Sequence, residues 1–193
     1  MRKLILFSLL SLFAFTTYAQ GDVVFGVRGG VNFTNISGDD TEEFSSRTGI
    51  QLGFLAEFGL TDMLALRPEL NFSMQGAELS EPGFEGKIKL NYLNIPVMLK
   101  VDVADGFFFE AGPQLGFLMS AKEEFDEEGE SGEEDIKNEV KDIDFGGNLG
   151  LGYELDSGLF FNARYNIGFS DINEEEPEKN QNSVFSIAVG FMF

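Results

Sequence analysis

The sequence predicts an all-β protein: an eight-stranded antiparallel up-and-down transmembrane β-barrel, preceded by a cleavable signal peptide. Three observations lead there. The first 19 residues form a basic and then apolar leader. Eight later segments alternate apolar residues with polar, charged or small ones. The connections between those segments alternate between short and long.

In the leader, Arg2 and Lys3 precede an apolar run from Leu4 to Phe15. The run is too short to cross a bilayer as a helix, and Thr17 and Ala19 supply the small residues of a cleavage site. The expected division is a signal peptide over 1–19 and an outer-membrane barrel domain over 20–193. No Cys follows the apolar run, so a lipoprotein anchor is excluded. Cleavage also removes Arg2 and Lys3, leaving a still more acidic chain.

After residue 21 the dominant period is two, which places successive side chains on opposite faces of a strand. Val23, Phe25, Val27 and Val31 begin the first apolar face. Ile50, Leu52, Phe54 and Leu60 belong to the second, and Leu64, Leu66, Leu70 and Phe72 to the third. Leu93, Ile95, Val97, Leu99 and Val101 form the fourth, and Phe107, Phe109, Leu115 and Phe117 lie on the fifth. Ile143, Phe145, Leu149 and Leu151 lie on the sixth, and Leu159, Phe161, Tyr165 and Ile167 on the seventh. Phe185, Ile187, Val189, Phe191 and Phe193 complete the eighth. No charged side chain falls on any of these faces. Such strands run to about ten residues or more, enough to cross a bilayer at a tilt.

Short connections are expected at 61–63, 102–106 and 156–158, and long ones at 35–48, 76–88, 120–142 and 170–183. That alternation places both termini in the periplasm and the long loops outside the cell. An even number of strands closes the sheet without an edge in lipid.

Alternation alone does not say which face looks outward; a soluble lipocalin-like barrel would bury the apolar one. Volume argues against that, because an eight-stranded barrel is only just wide enough for its own side chains. The glycine-rich face suits the interior better. Charge argues the same way: away from the strand ends, the polar face carries Arg28, Arg67, Lys100 and Arg164 against Glu57, Glu69, Glu110 and Glu154. Enclosed charges must cancel, since each unpaired ion costs several kcal/mol. The predicted lumen network is these eight residues, and the predicted lipid-facing belt is marked by Phe25, Phe54, Phe72, Phe109, Phe145, Phe161 and Phe191. Phe191 and Phe193 end the last strand as an expected signal to the barrel-assembly machinery. Pro68, Pro96 and Pro113 interrupt strands, and bulges or irregular pairing are expected there.

Several stretches carry a family resemblance. Tyr92-Leu93-Asn94-Ile95-Pro96-Val97, Ala111-Gly112-Pro113, and Arg164-Tyr165-Asn166-Ile167-Gly168-Phe169-Ser170-Asp171-Ile172, with the Ala19-Gln20 junction, resemble the outer-membrane β-barrel ("porin family", PorT-like) proteins of the Bacteroidota. The resemblance covers the mature chain and implies a small barrel like OmpX or OmpA. It carries no catalytic residues over, and it implies a part in type IX secretion as one role within the family.

Composition narrows the chemistry. The 193 residues hold 33 acidic against 13 basic side chains, for a net charge of -20. That opposes nucleic-acid binding, which needs Lys and Arg to displace counterions. The absence of His and Cys removes imidazole and thiolate chemistry, so neither an enzyme nor a cofactor is expected. Eight strands leave no aqueous channel, so a salt-bridged filling is the expectation and passage of small solutes or protons the alternative.

Residues 122–141 gather Glu123, Glu124, Asp126, Glu127, Glu128, Glu130, Glu133, Glu134, Asp135 and Glu139 against Lys122, Lys137 and Lys141. Glu174, Glu175, Glu176 and Glu178 follow in the last long loop. Divalent cations are candidate partners of these acidic loops. However, 126–137 has Ser131 where a calcium-binding loop needs Gly, and such runs are expected to be solvated and mobile. The predicted role is a structural or interaction protein whose partners are outer-membrane lipid and the assembly machinery.

Overall fold

The computed structural model describes residues 23–38, 44–81, 84–127, 130–173 and 179–193. The leader at 1–19, Glu128 and the run at 174–178 lie outside the described residues. The described residues form nine strands: β1 (Val23–Gly38), β2 (Phe44–Gly59), β3 (Leu64–Glu81), β4 (Phe84–Ala104), β5 (Phe107–Glu127), β6 (Glu130–Asp135), β7 (Ile143–Glu154), β8 (Leu159–Gly168) and β9 (Asn180–Met192). All pairings are antiparallel. The order β4-β3-β2-β1-β9-β8-β7-β5 closes on itself through a β4–β5 ladder, making a ring of eight. β1 and β9 form the seam, from Gly26 opposite Met192 to Gly38 opposite Asn180. There the Phe193 amide donates to the Phe25 carbonyl at 2.8 Å.

The alternating apolar residues look outward. Phe54 is 69% exposed, Phe109 50% and Phe161 50%, and Phe25, Phe72, Phe145 and Phe191 lie on the same outer face. A water-facing surface this apolar would far exceed the patches soluble monomers expose; against hydrocarbon it is the required surface. Aromatic contacts mark both rims of the belt. Phe107 meets Tyr153 edge-on near the short turns, while Phe33 stacks with Phe185 and Phe145 meets Phe169 at the other end.

The short connections close tightly. Thr61 Oγ1 accepts the amides of Met63 at 3.2 Å and Leu64 at 3.0 Å. The turn between β4 and β5 is only Asp105-Gly106, with Gly106 at φ 80°, a backbone region that disfavours other residues.

The long connections differ from expectation. The 76–88 loop is mostly strand, with Ala77 paired to Ile88 and Glu81 to Phe84. β5 runs through residues 120–127, where it leaves β7 and pairs instead with β6, a strand outside the ring. β4 and β5 have 21 residues each, about 70 Å of chain at ~3.3 Å per residue. At a tilt of ~40° they rise about 50 Å, twice the apolar band they cross. The described part of the acidic segment is therefore largely a projecting β-arm where a loop was expected.

The prolines bring the irregular pairing expected of them but no bulge. Register is continuous through Pro68, Pro96 and Pro113, but Pro68 has no partner in the β2–β3 ladder, Pro96 none in the β3–β4 ladder and Pro113 none in the β4–β5 ladder. The register shifts fall elsewhere, between Ser46 and Gln51, Asn91 and Tyr92, and Asp102 and Ala104. A lost proline donor interrupts the ladder locally without requiring an inserted residue.

Phe54 sits mid-strand in the belt, opposite Val27 and Leu70. Phe54→Arg is expected to lower the free energy of unfolding in phospholipid vesicles by ~2–4 kcal/mol, whereas Ser157→Arg, in a turn, lowers it by ~0–1 kcal/mol. Guanidinium titration of the two variants checks this.

Candidate functional site

The polar constellation is the lumen, where inward side chains from all eight ring strands converge. The space is narrow, and the inward glycines make room for it. The Phe160 ring occupies the place a side chain at Gly190 would take, Phe108 does the same at Gly152, and Asn71 at Gly53. Substituting these glycines would push the large side chains of the neighbouring strands out of the lumen.

All eight predicted charges meet in one connected network. Arg164 grips Glu69 with two guanidinium nitrogens, Nη1 to Oε2 and Nη2 to Oε1, both at 2.9 Å. It also donates to Glu110 Oε1 from Nε at 3.0 Å and Nη2 at 2.9 Å. Arg28 reaches Glu69 at 2.9 Å, and Asn71 and Asn162 each donate to one carboxylate, Glu69 and Glu110, at 2.8 Å. Glu110 continues the chain to Arg67, 4.0 Å from its second oxygen. Arg67 in turn pairs with Glu57 and reaches Glu154 at 3.2 Å. Lys100 lies 2.9 Å from Glu154 and 3.5 Å from Glu57. Asp102, absent from the predicted set because it lies at a strand end, joins through Lys100 at 3.3 Å.

The lumen is not polar throughout, which corrects the sequence-based expectation. At the short-turn end, Leu55, Phe160 and Met192 pack with Val24. The Arg67 guanidinium stands over the rings of Phe108 and Phe160, 5.2 Å from each centroid, and Lys100 stands 5.1 Å from that of Phe108. Cation–π contact thus joins the charged layer to an apolar floor. At the opposite end, Ile36, Leu90, Tyr92, Leu118, Ala121, Ile136 and Ile172 form an apolar plug. These residues occupy the inward parity near strand ends or lie in connections, where alternation alone does not mark them as core.

Between charges and plug lies a layer of amides and hydroxyls. Asn166 donates to Asn148 at 3.2 Å, Asn148 to Gln114 at 3.3 Å, and Asn32 to Ser73 at 3.0 Å. The layer encloses a cavity of about 20 Å³, room for about one or two waters. Asn32 Oδ1, Asn71 Oδ1 and Gln75 Oε1 belong to side chains lining it and have no protein donor; water is the group that fits them.

The acidic arm is held by cross-strand pairs. Glu123 faces Glu134 and Glu124 faces Glu133, like charges whose repulsion is relieved by Lys89 on Glu124 and Lys122 on Glu133. No group of three or more His, Cys, Asp or Glu suited to a metal gathers among the described residues. In the β8–β9 connection, burial alone would push the Asp171 carboxyl up. The Asn180 and Asn173 amides at 3.1 and 3.2 Å, with Lys141 at 3.1 Å, reverse this and hold it below the usual range.

Two outcomes follow. Glu110→Gln removes the bridging carboxylate while two arginines stay buried, and is expected to cost ~3–5 kcal/mol in an equilibrium guanidinium titration. In the arm, the hydrogen bond from Lys89 holds the Glu124 pKa below its ordinary value. That contribution is therefore complete above the normal carboxylate range and is lost as pH falls through the depressed pKa. Amide protection across 120–127, taken relative to the intrinsic exchange rate at each pH, is expected to fall at acid pH, and Lys89→Gln is expected to show the lower protection already at neutral pH.

The family described as outer membrane protein beta-barrel domain matches residues 18–174. No curated protein matches the sequence. Among solved structures, Neisserial surface protein A is 16% identical, with a TM-score of 0.56 over 88% of this chain and 97% of that one. Ail, the attachment invasion locus protein of Yersinia pestis, is 12% identical, with a TM-score of 0.55 over 90% of this chain and 99% of that one. At such identities the likeness is one of fold. With its closed ring, outward apolar belt and cancelled interior charge, the chain belongs to the outer membrane protein β-barrel domain family and is a protein of the outer membrane.

Proposed function

We propose that this protein is a non-catalytic structural and interaction protein, a sealed barrel that holds an acidic β-arm beyond the membrane surface. The observation that carries this reading is the filled lumen: an apolar floor, a continuous ion-pair network, an amide layer and an apolar plug in series. Such a stack favours a lumen without a water column for a solute. The termini then belong in the periplasm and the long hairpins outside, the orientation usual for barrels with short turns on one side. Outward-facing Phe191 and Phe193 are the residues we assign to recognition by the assembly machinery.

The exposed arm carries Glu133, Glu134 and Asp135, which favours cationic partners and disfavours polyanions. The Bacteroidota-type motifs support a second reading, an accessory role in type IX secretion, which would act through the periplasmic face. Deleting the gene and measuring secreted cargo separates the two. For the sealed lumen, planar-bilayer recordings of the purified barrel are expected to show no discrete conductance steps; reproducible unit steps would overturn that reading.

A further inference from the structure

One buried carboxylate stands apart from the lumen network. Asp144, at the start of β7, is 6% exposed. No Lys or Arg lies within 4 Å of it among the described residues, and the lumen cations are engaged with other acids. Its Oδ2 accepts a hydrogen bond from Asn182 Nδ2 at 3.0 Å, and its Oδ1 has no partner. The same Asn182 nitrogen lies 3.3 Å from the Tyr92 hydroxyl, while Asn182 Oδ1, at the other end of that amide, has no donor.

A third acceptor converges from β4. Asn94 and Asp144 flank Gly116 in adjacent ladders. Because Gly116 has no side chain, both lean over it: Asn94 Oδ1 and the Asp144 Cβ lie 2.7 and 3.6 Å from the point a Gly116 Cβ would occupy. Asn94 Oδ1 also lacks a donor. Three acceptor oxygens without a protein donor thus belong to the Asp144 carboxylate itself, to the amide that donates to it and to the amide that flanks Gly116 with it. Leaving such atoms unmatched is costly, and an uncompensated buried carboxylate more so. The apolar plug of Ile36, Leu90 and Leu118 closes the place off from the long-hairpin end.

We propose that the lumen binds a single small monovalent cation, sodium, at Asp144, held by Asp144 Oδ1 and the side-chain oxygens of Asn94 and Asn182. An all-oxygen set suits a hard cation. Its single formal charge matches a monovalent ion, whereas calcium sites usually gather more carboxylates and ligands. The ion would tie β4, β7 and β9 together across the ring, just beneath the plug.

The test follows unfolding of the intact barrel in phospholipid vesicles, with sodium chloride replacing choline chloride at constant ionic strength. A site specific to the fold is expected to raise the folded-to-unfolded ratio about threefold when sodium reaches about twice its dissociation constant, and to go on raising it in proportion as sodium increases further. Asp144→Asn, which preserves shape, is expected to abolish the response, and Asn94→Ala to weaken it. The double variant Glu133→Gln, Glu134→Gln is expected to keep it. Equal unfolding of the unsubstituted protein in sodium and choline overturns the proposal. So does an undiminished response in Asp144→Asn, or loss of the response in the arm variant, either of which would place the ion at the surface.

Discussion

A closed ring of eight strands leaves an interior barely wider than its own side chains, and lipid outside leaves no place for charge there. Every ionic group on the membrane-crossing part of the chain must therefore turn inward and be cancelled within a few ångströms. Glu110 is where this constraint concentrates. It receives Arg164 on one oxygen and faces Arg67 on the other, so it joins the Arg28–Glu69 side of the lumen to the Lys100–Glu154 side. The glycines are part of the same solution, because a wide guanidinium or ring fits only where the adjoining strand presents no side chain.

Much of this was legible in the sequence. Period-two alternation located the eight ring strands, and the absence of charge from one parity set separated the lipid face from the lumen. All eight residues named as the lumen network are in it, because enclosed charges in a narrow space have few other places to go. The seven phenylalanines named for the belt lie on the outer face for the complementary reason.

What escaped the sequence lies at the strand ends. Leu90, Leu118 and Ile36 occupy inward positions, so apolar character there reads as a break in the pattern when it is in fact a plug. Asp102 and Asp144 lie where a strand-end charge is ordinarily solvated, and only the three-dimensional ring shows that Asp144 is enclosed. The β-arm was hidden by its composition: facing glutamates oppose strand pairing, and the lysines that offset them sit on other strands or at other positions. Local pattern does not reveal such cross-strand compensation.

The seam between β1 and β9 has a kinetic consequence. Its partners lie at opposite ends of the described chain, so the contact that completes the cylinder has the greatest sequence separation of any ladder and carries the largest loop-closure entropy. Until it forms, two raw sheet edges and half-dry ion pairs would face hydrocarbon, a state lipid does not tolerate. Insertion and closure should consequently proceed as one concerted event, with a chaperoned, unzipped precursor waiting in the aqueous compartment beforehand.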